Sequence, residues 1–463
     1  MNKSVLAIDI GSTKICAIIA EIDELGNILI VGSGTSKAQG LKKGSITTID
    51  LAAKSIKNAI SDAKRVAGID LKSAIVSISG AYTKSINSSG VVNIPNKEVS
   101  IKEIERAMHS SLYNANILNE YEVLHVFPYN FKVDEQDFIE DPLGMNASRL
   151  EVETHVVTTQ KSTLNNLKKA VRIAGIEVDG VLLSGYASAI AILNDDEREL
   201  GVGVVDMGGS TSNIIIHAGN SIRYNDFLGV GSNHITSDLS MALHTPLTSA
   251  DDVKIKYGTL SQSSNDLIEL PIIGDADNTH EVSLEVVYNV IYARAEETLM
   301  IIAQSIEKSQ LKESMGAGII LTGGFTKIEG IRDLAVAIFD NIPVRVAAPD
   351  DINGLFDTMK DPSYSTVIGL VKYSAGKITP YEIDVNRNMR YLGEDPTQSE
   401  PIALGDINRA FDTEIPKVKT KINDTLHNDL EEDKMISIPT ESKKKNDEAG
   451  GVSKFWNWAT QLF

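Results

Sequence analysis

One cysteine, Cys16, stands in 463 residues, so no intrachain disulfide can form, and its place in an apolar run suits a small buried hydrophobe. Tryptophan is almost as scarce: both copies, Trp456 and Trp458, fall near the last residue of the sequence. Basic residues are outnumbered, 44 Lys and Arg against 63 Asp and Glu, and a net charge of −19 would be repelled by a nucleic-acid backbone. The same imbalance excludes a broad electrostatic membrane contact, so any membrane binding must be local. No run approaches the roughly 20 apolar residues that a bilayer span needs. Asp9 and a glycine turn interrupt the N-terminal apolar run, which argues against a signal peptide and for a cytosolic chain. The eight histidines show no paired metal spacing. Neither the P-loop signature nor GxGxxG occurs at the glycine turns, so P-loop NTPase and Rossmann dehydrogenase chemistry are not indicated.

What the chain does contain is one short pattern written twice. Val5–Lys14 reads VLAIDIGSTK and Val202–Thr211 reads VGVVDMGGST. Each is an apolar β run ending near Asp, then a glycine turn with hydroxyls, then a second β run, Ile15 to Ala20 and Asn213 to His217. The residue types suit phosphate. Glycines such as Gly11, Gly208 and Gly209 let backbone amides approach closely, the turn aims successive N–H groups at an anion, and Ser12, Thr13, Ser210 and Thr211 add hydroxyl donors. Asp9 and Asp206 can hold Mg²⁺ through its waters, because that ion keeps most of its hydration. A third glycine turn, Gly323-Gly324, follows the apolar run Ile319 to Thr322. Two half-domains closing on a nucleotide are the expectation.

The length suggests two or more domains, and the 42% apolar content is that of a globular protein. Helical periods are predicted for Leu51 to Ala67, Ser162 to Ala174, Ala187 to Leu193 and Leu284 to Lys308, and a strand for Ala74 to Ser79. Between about Tyr82 and Gln160 the character changes: Ser100 to Glu103 is a capping box, and Glu122 to Val133 and Arg149 to Thr159 read as strands, making a small α+β insertion. Ser249 followed by Asp252 predicts a helix over Asp251 to Tyr257, with Gly258 as C-cap. Residues 385 to 450 mix charge and proline without a sustained period, which reads as a flexible tether. As a coil its ends would lie roughly 40 to 50 Å apart.

After Gly450-Gly451 the two residue classes separate at the helical pitch. Val452, Phe455, Trp456, Trp458, Ala459, Leu462 and Phe463 fall within an arc of roughly 160°. Such a helix either docks on the protein's own surface or lies in a bilayer interface, where Trp and Phe are typical. A single anchor of this length is marginal, because a short helix is unstable in water; several on one polymer would bind far better.

With the twin hairpins, the third turn and this tail in view, the chain resembles the FtsA family of actin-like bacterial division proteins, over about residues 1 to 385 plus the terminal helix. Three further stretches carry the likeness. Asp141–Glu151 (DPLGMNASRLE) is similar to the family's Asn-Pro-x-Gly-Met segment, with Asp141 for Asn. Gly231–Asp238 (GSNHITSD) is similar to its Gly-Gly-x-x-Ile-Thr-x-Asp loop, and Ala250–Gly258 (ADDVKIKYG) to its Ala-Glu-x-x-Lys-x-x-x-Gly helix. The resemblance implies an α/β, two-lobed actin-like ATPase fold with an inserted α+β subdomain and a disordered tail ending in an amphipathic helix. Residues 1–83, completed by 161–197 and about 355–384, would form the first lobe, with 84–160 inserted. The second lobe would take 198–228 and 305–354, its small subdomain 229–304, the tether 385–448 and the anchor 449–463.

By the same likeness, ATP and Mg²⁺ would occupy the cleft. Gly231, Asp251 and Lys254 would reach the ribose and adenine side, and Gly323, Gly324 and Phe325 would lie against the adenosine. The FtsZ C-terminal peptide would dock at Arg294 and Glu297, although the alternative of a solvated helix face, with Glu296 beside them, stays open. Self-association, contacts of the insertion with other division proteins, and a place on the cytoplasmic face of the membrane at the septum are implied as well. Asp206 would orient water through Mg²⁺ in at most a slow ATPase. Two rival readings share the core: a pilus-assembly protein like PilM, expected to lack the tail, and a sugar or acetate kinase, which has no use for it.

Overall fold

The computed structural model describes residues 2–340, 342–391 and 393, apart from the side chains of 276 and 277. The expected tether beyond residue 393 and the expected amphipathic helix lie outside the described residues. Strand Lys3–Ile10 pairs antiparallel with Lys14–Ile22, in a register that sets Lys3 opposite Ile22 and Ile10 opposite Ile15. Both runs are almost wholly apolar, as strands covered on both faces must be. Ser73–Ile78 and Glu177–Leu183 extend the sheet in parallel on one side and Ile28–Lys37 in antiparallel on the other, giving the first lobe five strands.

Helix Ile49–Ala67 lies against the last two strands of the hairpin side, its small face of Ala52, Ala59 and Ala63 fully buried. The approach is so close that a Cβ on Gly34 would stand 2.1 Å from the Ala59 carbonyl oxygen. Helix Ser365–Ser374 packs on Lys3–Ile10 and crosses helix Ser184–Ile192 backbone to backbone; a Cβ on Gly369 would fall 1.7 Å from the Ala187 carbonyl.

The second lobe repeats the plan. Its sheet runs Ile222–Leu228, Ser212–His217, Val202–Met207, Ile319–Thr322, Val344–Val346, with the first two pairings antiparallel and the last two parallel. Met207 faces Ser212 as Ile10 faces Ile15, so both hairpins close over loops of equal length. The adjoining small subdomain holds helices Ser232–Ala242, Leu247–Tyr257 and Leu284–Lys308 and the hairpin Leu267–Ile272 with Asp275–Ser283. Helix Leu247–Tyr257 starts earlier than the sequence pattern suggests, since Pro246 caps it, and Ser249 therefore lies inside it. Gly258 does follow it, in an extended rather than a left-handed conformation (φ −69°, ψ 112°).

The insertion is a sheet of Thr83–Asn93, Arg149–Gln160, Tyr121–Val133 and Gln136–Ile139 backed by helix Ile101–Asn114. The Glu103 carboxylate reaches back to the Ser100 amide at 3.3 Å, the return half of a capping box. Tyr381 and Ile383, from the far end of the described chain, complete its core. Ile383 pairs with Val126 and Met389, the Tyr381 hydroxyl donates to Asp141 at 2.6 Å, Tyr391 stacks on Tyr381, and Asn386 donates to the Asp179 carbonyl at 2.7 Å. Packed chain thus continues through residues expected to begin a tether at 385. Its contacts are aromatic and polar, and leave no periodic pattern to read.

Candidate functional site

The two hairpin loops meet where the lobes face each other. A Cβ on Gly209 would fall 1.9 Å from Thr13 Oγ1, and one on Gly231 would fall 2.5 Å from the Gly208 carbonyl oxygen, so glycine is what permits the approach. Around them lies a cleft of about 430 Å³. Its wall includes Asp9, Gly11, Ser12, Thr13, Lys14, Asp206, Gly208, Gly209, Thr211, Asp251, Lys254, Gly323, Gly324 and Phe325. Ser210 and Gly231 stand behind it: Ser210 Oγ accepts the Asn233 side-chain N–H at 3.0 Å, and Gly231 backs the Gly208-Gly209 turn.

Each Asp is held by hydroxyls. Ser77 donates to Asp9 Oδ1 at 2.8 Å and accepts the Ile10 N–H at 2.9 Å. Burial, with the nearby Asp206 charge adding to it and the Ser77 bond opposing, pushes the Asp9 carboxyl up to about 6. Asp206 Oδ2 accepts Ser188 at 2.9 Å and Thr366 at 3.3 Å, from the two crossing helices; burial raises it too. A Cβ on Gly323 (φ +91°) would lie 2.5 Å from Asp206 Oδ1, so the third glycine turn closes onto the second aspartate.

The cleft wall sets three lysines, Lys14, Lys254 and Lys327, among three aspartates. Lys14 Nζ donates to Ser363 Oγ at 2.8 Å and stands 3.1 Å from the Tyr364 ring centroid, and desolvation lowers its pKa. Lys254 donates to Asp251 at 2.6 Å and to Thr236 at 2.7 Å, while Thr236 donates to Asp251 at 2.9 Å. Burial acts most strongly, to raise the Asp251 carboxyl, but the bond and charge of Lys254 with the Thr236 bond and the Lys37 charge together outweigh it and the net shift is downward. Lys327 joins the wall, paired with Asp361 at 2.6 Å.

Among the described residues no group of three or more His, Cys, Asp or Glu side chains is placed to hold a metal. Two opposed carboxylates fit instead an ion that keeps its waters and takes its remaining ligands from phosphate. The glycine cradle, the hydroxyls and the lysines fit the phosphates.

Ser77, Ser188, Thr366, Ser363 and Tyr364 were not among the candidates read from the sequence. Two of them had a signal: Ser77 and Ser188 are lone hydroxyls within apolar runs, AIVSI and YASAI. Arg294 and Glu297 lie outside the cleft on helix Leu284–Lys308, where Arg294 Nε donates to Asp238 at 2.6 Å and its guanidinium pairs with Glu297. The membrane-facing candidates Val452, Phe455, Trp456, Trp458, Leu462 and Phe463 lie outside the described residues. Among those described, no helix is long and apolar enough to cross a membrane.

Matching hairpins in two sheets, crossing helices behind them and a glycine-lined cleft between them define a two-lobed actin-like protein. The chain belongs to the FtsA family of cell division proteins. It is 42% identical over 423 residues to cell division protein FtsA of Helicobacter pylori, covering 84% of this chain and 86% of that one. Against FtsA of Escherichia coli K12 the identity is 30% over 397 residues, covering 84% and 94%. Family models described as the SHS2 domain inserted in FtsA and as cell division protein FtsA match residues 80–158 and 203–369. The solved PilM-PilN type IV pilus biogenesis complex shares the fold, with a TM-score of 0.57 at 14% identity over 80% of this chain and 98% of that one.

Proposed function

We propose that this chain binds ATP with Mg²⁺ between its lobes, self-associates, and links FtsZ filaments to the cytoplasmic face of the membrane at the division septum. The observation that carries the reading is the convergence of both glycine loops and both hydroxyl-held aspartates on one cleft. Backbone amides and hydroxyls of Gly11 to Thr13 and Gly208 to Thr211 take the phosphates. Asp9 and Asp206 orient the waters of the ion, which when bound neutralises phosphate charge. Asp251, Lys254, Gly323 and Gly324 serve the adenosine side. Turnover is slow at most, because Asp206 reaches an attacking water only through the ion.

The tail anchors through Trp456, Trp458 and their apolar neighbours, and self-association multiplies a weak anchor. The FtsZ C-terminal peptide docks at Arg294 and Glu297, exchanging with the Asp238 pairing. The insertion meets other division proteins. Co-sedimentation with anionic liposomes tests the reading: the full chain pellets with ATP, and removal of residues 449–463 or Trp456→Asp leaves it in the supernatant. Unchanged pelleting of Trp456→Asp sinks the anchor. Arg294→Glu abolishes capture of an FtsZ tail peptide; retained capture removes that assignment.

A further inference from the structure

One buried hydroxyl of the cleft wall has no hydrogen-bond partner among the described residues. It is Ser79 Oγ, an exception among buried polar groups that calls for a ligand. Ser79 stands two residues after Ser77, which holds Asp9, and is set among the phosphate loops. The turn Lys43-Gly44 covers it: a Cβ on Gly44 would lie 2.4 Å from Ser79 Oγ and 3.4 Å from Thr211 Cγ2 of the other lobe. That turn closes a hairpin of two residue pairs, Leu41 with Ile46 and Lys42 with Ser45, too short to be rigid. Across the cleft, Asn213 Oδ1 accepts the Gly80 N–H at 3.1 Å. Only the oxygen can take that proton, so the amide orientation is fixed and its two N–H donors remain for the cleft that Asn213 lines.

We propose that Ser79 and Asn213 read the terminal phosphoryl group of a nucleoside triphosphate and thereby distinguish it from the diphosphate. The inference rests on the nucleotide reading above. Phosphoryl oxygens accept hydrogen bonds and offer none at neutral pH, which matches a donor set of one hydroxyl and one amide. The donors come one from each lobe, so the outermost phosphate adds a side-chain bridge between the lobes. A diphosphate leaves Ser79 covered by Gly44 and without a partner. Gly44 (φ +77°) is the residue that must give way, and a side chain there would collide with the hydroxyl it covers.

The test is competition binding on the full chain with a fluorescent adenine nucleotide, displaced in parallel by adenylyl imidodiphosphate and by ADP, both with Mg²⁺. Ser79→Ala weakens the triphosphate analogue roughly tenfold and leaves ADP within about twofold. Ser79→Thr restores the difference. Ser79→Cys keeps the volume with a poor donor and repeats the selective loss, which separates the donor's role from packing. Equal weakening of both nucleotides, or an unchanged ratio in both Ala and Cys variants, overturns the proposal. Failure of the wild-type chain to bind either nucleotide overturns the nucleotide reading itself, and this one with it.

Discussion

The two phosphate-type hairpins share a sequence pattern, a register and a loop length, yet they are wired differently. Asp9 is held from within its own lobe by Ser77, on the neighbouring strand of its sheet. Asp206 is held by Ser188 and Thr366, on helices that cross behind the cleft, and Gly323 closes over its other oxygen. The second loop is further fixed by the start of helix Ser232–Ala242, whose Asn233 amide donates to the Gly209 carbonyl at 2.6 Å. The first carries a cation, Lys14, held by Ser363 Oγ and the Tyr364 ring. A duplicated motif has thus become one wall whose aspartate is braced within its own sheet and one whose aspartate is braced by crossing helices, and in both the bracing comes from residues outside the motif.

The sharpest way to break this pairing is at the point of contact. Gly209→Val sets a branched side chain where Thr13 Oγ1 already lies, so the loops part and nucleotide affinity falls about a hundredfold by calorimetry. Next come the aspartates. Asp9→Asn and Asp206→Asn each weaken the Mg²⁺-dependent part of binding about tenfold and alter its pH profile, because burial raises both carboxyls. The sign follows from Asp9, raised from 3.8 to about 6 in the fold. Its neutral form favours the empty fold fully below about 3.8, and that contribution is lost as pH rises through about 6. Metal binding needs the ionised form, so the Mg²⁺-nucleotide-induced rise in Tm grows between pH 5 and 7.5, and Asp9→Asn flattens it. Lys14→Ala lowers affinity about fivefold with little change in stability, since desolvation already works against its charge. The smallest effects test the bracing. Ser188→Ala costs about 1 kcal/mol, read as a Tm lower by a few degrees. Ser77→Ala moves the pH midpoint of binding upward, because the bond that holds the Asp9 carboxyl down is gone. Ser188→Ala shifts the midpoint upward too, through Asp206, but less than Ser77→Ala because Thr366 still donates to that carboxylate; an equal shift would erase the distinction between the two walls.

Much of this was legible along the chain because the informative residues are local. Asp9 to Lys14 and Asp206 to Thr211 carry their chemistry in consecutive positions, and helix Leu284–Lys308 agrees at both ends with its hydrophobic period. Ser77 and Ser188 left a faint signal as hydroxyls in apolar runs, but Thr366 and Ser363 left none, because each acts through one long-range hydrogen bond of an ordinary hydroxyl. Thr366 lies 160 positions from Asp206, and Ser363 lies 349 from Lys14. Helix Leu247–Tyr257 was misjudged at its start because Pro246 caps by geometry where a hydroxyl was expected. Residues 385–391 read as tether because charge and Pro content say nothing about Tyr391 stacking on Tyr381.

That last stacking has a mechanical consequence. The segment ending at Tyr391 is stitched to the insertion through Tyr381 and Ile383 and to the first lobe through Glu382, whose buried carboxylate accepts the Tyr186 and Tyr373 hydroxyls at 2.6 Å each. A load pulling on the chain beyond Tyr391 is therefore taken up at the seam between insertion and first lobe, and passes through Tyr186 and Tyr373 into the two helices whose Ser188 and Thr366 hold Asp206 in the nucleotide cleft.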